Sequence, residues 1–179
     1  MEIEIRAKIG NPRKIVTLLK KDKEVVFIKE KTEKDIYFKH ITDVSRKLVL
    51  RIRRTASGDM LTFKAKSTGD DTAWPDVDMP LGDAKSLEKI LRGSDYIEVV
   101  TITKKRATYS KKKFELNLDH IKELGWFIEV EGRGNQRERK HIEQELHAIL
   151  LSLGIDQRDI VRQGYVPLAL AAKEGKRTA

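Results

Sequence analysis

The sequence predicts an α+β fold, antiparallel strands of two-sided chemistry packed against amphipathic helices. Three observations lead there. Apolar and polar residues alternate with a period of two in segment after segment. In several of these segments one face is aliphatic and the other charged. Three further stretches carry apolar residues at helical spacing, two of them behind residues suited to capping a helix. A chain of 179 residues is long enough to bury a real core. One domain is expected over residues 1–170, with a flexible tail over 171–179.

The elements follow in order. Residues 2–8 open the chain as a strand, with Ile3, Ile5 and Ala7 on one face and Glu2, Glu4, Arg6 and Lys8 on the other. Asn11 is an N-cap and Pro12 occupies the first helical position, so a helix carrying Ile15, Leu18 and Leu19 is expected to about Lys21. Residues 25–31 read as extended and 35–39 as a strand with Asp35 and Tyr37 on one face. Residues 48–54 and 60–66 form a hairpin about Ser57-Gly58-Asp59. Arg51 and Arg53 share a face of its first arm, Lys64 and Lys66 a face of its second. Residues 67–72 are polar, and 74–81 form a strand with Pro75 at its start or on an edge. Asp83 caps a second helix (Leu87, Ile90, Leu91) ending at Gly93. Residues 97–109 make a long strand with Lys104 and Arg106 on one face. Residues 114–119 place Asn117 and Asp119 opposite Leu116 and Leu118, and 126–131 place Phe127, Glu129 and Glu131 opposite Ile128 and Val130. The third helix runs from Asn135, with Ile142, Leu146, Ile149, Leu150 and Leu153 as its stripe, to Gly154.

Composition narrows the chemistry. Lys and Arg number 37 against 28 Asp and Glu, a formal net charge of +9, so an anionic partner is expected. With no cysteine, disulfides, thiolate metal sites and a cysteine nucleophile are excluded. That composition fits a cytoplasmic protein. The charged opening and the lack of a long apolar run predict neither a signal peptide nor a membrane-spanning helix.

The charged strand faces carry the functional information. Solvated strand faces usually mix their polar residues; here the signs segregate. Acids pair at strand spacing as Glu2/Glu4 and Glu129/Glu131, with Asp119 on a third strand. Cations pair as Arg6/Lys8, Arg51/Arg53, Lys64/Lys66 and Lys104/Arg106. If the strands close into a barrel with these faces inward, the interior is costly unless something offsets the charge. A divalent metal on the carboxylates and a polyanion on the cations would do so, since Mg²⁺ favours oxygen ligands and Arg and Lys grip phosphate. Phosphoryl chemistry of that kind rests on positioning and charge stabilisation and needs no Ser, His or Cys triad.

At this point the sequence resembles a known family. Glu2-Ile3-Glu4-Ile5-Arg6 is similar to the E-x-E-x-K signature of CYTH proteins, named for class IV adenylyl cyclases and thiamine triphosphatases among the triphosphate tunnel metalloenzymes. Asp35-Ile36-Tyr37-Phe38 resembles D-x-Y-F, Leu50-Arg51-Ile52-Arg53 resembles L-R-x-R, and Leu61-Thr62-Phe63-Lys64 resembles L-T-aromatic-K. Lys104-Lys105-Arg106 resembles K-x-R. Leu118-Asp119, Leu124-Gly125 and Phe127-Ile128-Glu129-Val130-Glu131 resemble the closing L-D…L-G-x-F-x-E-x-E. Six pieces in order over residues 2–131 make a specific match. The resemblance implies a closed barrel of eight antiparallel strands flanked by helices, and Mg²⁺- or Mn²⁺-dependent processing of a triphosphate threaded through it. Carried over by position, it implies Glu2, Glu4, Asp119, Glu129 and Glu131 around the metals. Arg6, Lys8, Arg51, Arg53, Lys64, Lys104 and Arg106 are implied on the triphosphate, with Glu2, Glu4, Arg6 and Lys8 as the catalytic group. Arg6 stands where the signature usually has Lys. Arginine does not readily lose a proton, so a mechanism using that lysine as a base is left open here, with Lys8 as the alternative.

Two reactions fit the expectation: triphosphate hydrolysis, and cyclisation of ATP by attack of its ribose 3′-hydroxyl on the α-phosphorus. The C-terminal block and the length resemble the class IV cyclase subgroup. Tyr37, Phe38 and Trp126 serve as core or wall residues as readily as base-stacking ones. The alternatives are a non-catalytic polyphosphate-binding protein and a nucleic-acid-binding module, the latter disfavoured because aromatics make up only 6% and do not interleave with a basic stripe. His141 and His147 are six apart, the wrong spacing for a shared metal on a helix. His40 and His120 lack paired ligands, and Lys111-Lys112-Lys113 reads as a solvated turn. Asp76 and Asp78 receive no firm role. A monomer and a homodimer both remain open.

Overall fold

The computed structural model of the chain describes residues 1–42, 48–65 and 76–177. Expectations at Lys66, residues 67–72, Trp74 and Pro75 lie outside the described residues. Among the described residues, eight strands and four α-helices follow in the order β1 (Glu2–Ile9), α1 (Pro12–Lys21), β2 (Val25–His40), β3 (Leu48–Thr55), β4 (Gly58–Ala65), β5 (Asp76–Leu81), α2 (Ala84–Gly93), β6 (Tyr96–Lys111), β7 (Phe114–Ile121), β8 (Gly125–Arg133), α3 (Arg139–Ser152) and α4 (Tyr165–Arg177), with a short 3-10 helix at Gln157–Asp159 between the last two. No helix among the described residues is long and apolar enough to cross a membrane.

Local chemistry accounts for the helix ends. The Asn11 side chain accepts the Lys14 backbone N–H at 3.1 Å, and Asp83 accepts that of Ser86 at 3.0 Å, so both expected caps hold. The third helix starts at Arg139 and not at the expected Asn135, with the whole run from Ile142 to Leu150 of its apolar stripe inside it. Asn135 Oδ1 accepts the backbone N–H groups of Arg137 and Glu138 at 2.9 and 3.2 Å, and that turn occupies the chain before Arg139. Past the helix, Gly154 takes a left-handed φ of +72°.

The strands form one antiparallel sheet in the order β1-β8-β7-β6-β2-β3-β4-β5. The sheet is open, with β1 and β5 as its edges, so the expected closed eight-stranded barrel is not the architecture of this chain. The outer edge of β1 already has a partner. Ala7 makes an antiparallel bridge to Ile160, and the Val161 N–H donates to the Arg6 carbonyl at 2.8 Å. At the other edge, β5 is only six residues long and carries Pro80, which has no N–H to offer. Closure was what the family resemblance implied; in the open sheet, buried charges on each face are offset by acid–base pairs within that face, described below.

The chain divides into two compact units, Met1–Lys31 with Lys104–Ala179, and Thr32–Thr103. In the first, the aliphatic faces of β1, β7 and β8 pack against α1 and α3 through Ile3, Ala7, Leu116, Ile128, Val130, Leu19 and Leu146. In the second, Ile36, Phe38 and Ile52 form the core with Ala84 and Leu91 of α2.

Leu146 is completely buried at the centre of the first core. Leu146→Ala is expected to lower the unfolding free energy by about 2–5 kcal/mol in urea titrations. A loss below about 1 kcal/mol would mean that α3 is not anchored through this residue.

Candidate active site on the charged face of the first unit

Register assembles the site. On the face opposite the core, three rows run across the strands. Glu4 lies opposite Glu131, which lies opposite Glu115. Arg6 lies opposite Glu129, then Asn117, then Thr108; Lys8 opposite Phe127, then Asp119, then Arg106. Because side chains alternate strictly along a strand, two-residue steps in sequence become ordered rows in space. Carboxylates gather at one end of the face and cations towards the other.

The middle row is buried and charge-balanced. Glu129 is 4% exposed and is held from both sides. Arg6 Nε donates to its Oε1 at 2.7 Å, and Arg106 donates to its Oε2. Arg106 also grips Asp119 in bidentate fashion, Nε to Oδ1 at 2.7 Å and NH2 to Oδ2 at 2.5 Å. Lys104 Nζ stands 3.9 Å from Asp119 Oδ2. Burial pushes the Glu129 carboxyl up, but Arg106, Arg6 and Lys104 together outweigh it and hold it down at about 2. Arg6 has its own pKa raised: burial works against the charge, and Glu129 and Glu4 more than compensate. It is a fixed cation and cannot serve as a base.

The acidic end behaves in the opposite way. One oxygen from each of Glu2, Glu4 and Glu131 lies within 4.8 Å of the others. Burial first, then Glu2 and Glu115, push the Glu131 carboxyl up to about 8. Three converging carboxylates, one unwilling to ionise, are the donor set that a hard divalent cation fits, because it takes oxygen ligands and supplies the missing positive charge. Asn117 organises the neighbouring row, donating to Glu115 at 2.9 Å and accepting from Thr108 at 2.8 Å.

The second unit repeats the theme on its own scale. Arg53 is bidentate to Asp35, both bonds at 2.7 Å, with Glu33 Oε2 at 3.3 Å. Arg51 donates to Thr62 at 2.7 Å, and Thr62 donates to Asp78 at 2.5 Å. Burial, then Asp35, pushes the Tyr37 phenol up to about 12. Lys64 sits on β4 opposite Val49 and Asp76; its side chain is outside the described residues. A cavity of about 610 Å³ lies elsewhere, on the aliphatic face of the first unit, between Leu19, Phe27, Tyr109, Leu118 and Trp126. It is remote in chemistry from the charged rows.

The model of the CYTH domain matches residues 1–165. The chain belongs to the CYTH family. A Methanocaldococcus jannaschii protein named "Putative adenylate cyclase MJ0240" is 31% identical over 172 residues, which cover 94% of this chain and 98% of that protein. Among solved structures, a conserved hypothetical protein from Pyrococcus furiosus aligns with a TM-score of 0.81 at 22% identity, covering 94% of this chain and 99% of that one. The PH1819 protein of Pyrococcus horikoshii OT3 aligns at 0.79 and 24%, covering 96% and 99%. These two likenesses concern the fold alone.

Of the residues nominated on the CYTH pattern, Glu2, Glu4 and Glu131 meet at the acidic end. Asp119 and Glu129 lie on the same face in the grip of Arg6, Lys104 and Arg106, and Lys8 is exposed at the edge of its row. Arg51 and Arg53 lie on the charged face of the second unit. Three participants escaped the sequence reading. Glu115 and Glu33 sit two residues before Asn117 and Asp35, so strand alternation alone places them on these faces. Tyr165, whose hydroxyl donates to Asp119 at 3.0 Å, comes from beyond the last strand and had no periodic signal.

The Glu129 pairing yields a sign-definite expectation. Between pH 4.5, the ordinary value, and about 2, the unfolded chain binds a proton at this residue and the folded chain does not. Its stabilisation is therefore complete above pH 4.5 and lost as pH falls through 2. Glu129→Gln is expected to cost about 3 kcal/mol at pH 7 in urea titrations, with the difference from wild type narrowing steadily as pH falls below 4.5. A difference independent of pH would refute the pairing.

Proposed function

We propose that the protein is a divalent-metal-dependent enzyme acting on a triphosphate-bearing substrate, with ATP cyclisation as the leading reaction and triphosphate hydrolysis as the second. The observation that carries this reading is the segregation of charge on one sheet face, carboxylates converging at one end and phosphate-gripping cations along the rest. Family membership supports the triphosphate, and the name of the Methanocaldococcus jannaschii relative favours cyclisation.

Each residue has a role that follows from its chemistry. Glu2, Glu4 and Glu131 would hold Mg²⁺ or Mn²⁺, with Asp119 and Glu129 as the further acidic residues of the family pattern. The cation, when bound, neutralises phosphoryl oxygens and the charge that develops on them. Arg6, Lys104 and Arg106 bind the triphosphate by exchanging carboxylate oxygens for phosphate oxygens, and Lys8 reaches it from the exposed edge. Phosphate contacts of the same kind are proposed for Arg51, Arg53 and Lys64 on the second unit's charged face. Arg6 stays protonated throughout, so proton removal from the attacking hydroxyl or water falls to Lys8 or to solvent. In cyclisation, the ribose 3′-oxygen bonds to the α-phosphorus as pyrophosphate leaves. In hydrolysis, water bonds to the terminal phosphorus, the bond from that phosphorus to the bridging oxygen breaks, and the diphosphate part of the substrate leaves, with orthophosphate as the other product. The two differ in which phosphorus lies beside the carboxylate cluster.

The purified protein should be incubated with ATP, inorganic triphosphate and thiamine triphosphate, each with Mg²⁺ or Mn²⁺, and the products resolved by ion-exchange chromatography. Cyclic AMP with pyrophosphate identifies the cyclase; orthophosphate identifies the hydrolase. In either case chelation abolishes turnover, and Glu131→Ala reduces it by at least about 100-fold. Triphosphate that binds without any turnover would replace the enzyme by a polyphosphate-binding protein.

A further inference from the structure

We propose that Tyr165 is a positioning residue of this charged face, its ring carrying Arg6 and Lys104, so that a triphosphate meets the cations as a pre-set group. The inference rests on the triphosphate reading and names a residue that reading does not use.

Tyr165 reaches the face from outside the strands that build it. Residues 160–163 run along the outer edge of β1, where Ile160 bridges Ala7 and Val161 donates to the Arg6 carbonyl. The Gln163 carbonyl then accepts Arg6 NH1 at 2.9 Å. The same short segment therefore holds Arg6 by backbone and by side chain, and delivers Tyr165 two residues later at the start of α4.

The aromatic geometry is specific. Arg6 Cζ lies 4.3 Å from the Tyr165 ring centroid and Lys104 Nζ lies 5.6 Å from it, both within the reach of a cation over a ring face. Phe127 meets the ring edge-on, centroids 5.3 Å apart at 74°, and fixes its plane. With its Cζ over the ring, the Arg6 guanidinium still reaches oxygen acceptors through its N–H groups, on Glu129, Glu4 and the Gln163 carbonyl. At the other end of the ring, the hydroxyl donates to the Asp119 oxygen that also accepts Arg106 NH2. Burial first, then Glu129 and Asp119, raise the phenol's pKa, so it remains a donor. One side chain thus touches three charged residues on three strands. Long cationic side chains lose rotamer freedom when they close on an anion, and a cation already stacked has less to lose.

The test uses the full chain as wild type, Tyr165→Phe and Tyr165→Leu. Inorganic triphosphate with Mg²⁺ is titrated calorimetrically into each. The Arg6 Nε–H NMR resonance, assigned by its disappearance in Arg6→Lys, is recorded in parallel. Tyr165→Leu is expected to weaken binding about 30-fold through loss of two cation–ring contacts. Tyr165→Phe keeps the ring, and Asp119 keeps Arg106, so its binding stays within about threefold of wild type. The Arg6 resonance should be shifted upfield by the ring in wild type and Tyr165→Phe, and lose that shift in Tyr165→Leu. A merely structural tyrosine would lower the melting temperature of both variants without this split. Folded Tyr165→Leu binding as tightly as wild type overturns the positioning role while leaving the triphosphate reading intact. Wild type that fails to bind triphosphate removes that reading instead. An Arg6 resonance with no ring shift in wild type overturns the positioning role whatever the binding result, including the case in which Tyr165→Leu does not fold.

Discussion

Glu129 carries the charge balance on which the first unit's polar face depends. A carboxylate at 4% exposure is tolerable only with close counter-charges, and Arg6 and Arg106 supply them from strands on opposite sides. The pair is reciprocal. Each arginine is itself mostly buried, and removing the carboxylate leaves two guanidinium groups with less compensation. Asp119 extends the arrangement, since it shares Arg106 with Glu129 and is approached by Lys104. The result is a cross-strand lattice in which every buried charge named here lies within 4.0 Å of one of the other sign.

That balance explains why the acidic end differs so sharply from the middle. Glu131 is two residues from Glu129 on the same face, yet one carboxyl is held down at about 2 and the other pushed up to about 8. Burial acts on both in the same direction. What separates them is the row: Glu129 faces Arg6 across the β1–β8 ladder, whereas Glu131 faces Glu4 there and Glu115 on its other side. Glu2 and Glu115, both of like charge, convert the same burial into a standing demand for positive charge. The face has thus a charge-balanced centre and an acidic end, and the contrast between them is what suits the end chemically to a cation.

Much of this was legible in the sequence because strands encode faces directly. Glu2/Glu4, Arg6/Lys8, Lys104/Arg106 and Glu129/Glu131 announce their sides by two-residue spacing, and the caps Asn11 and Asp83 announce their helices. Sheet closure was not legible. It depends on what each edge strand meets, and the partner of β1 is a stretch near residue 160 with no alternation to mark it. Nor could the sequence say whether the buried charges would be balanced by each other or by ligands, because that follows from register: a one-residue slip between β1 and β8 would set Arg6 beside Val130 or Ile128 rather than Glu129. Tyr165 was illegible for a related reason. Its role comes from where the chain returns after α3, not from any pattern around it.

The arginine at position 6 gathers these strands of argument. A lysine there would offer one compact ammonium. The guanidinium instead donates in three directions, to Glu129 on β8, to Glu4 at 2.9 Å along its own strand and to the Gln163 carbonyl beyond the sheet, while its Cζ lies 4.3 Å from the centroid of the Tyr165 ring. Glu4 belongs to the acidic cluster and Glu129 to the buried pairs, so Arg6 joins the acidic end of the face to its charge-balanced centre. An ammonium cannot make those contacts at once, nor can it stack as a plane. Arg in place of the Lys of the family signature therefore exchanges a group able to release a proton for one that fixes geometry.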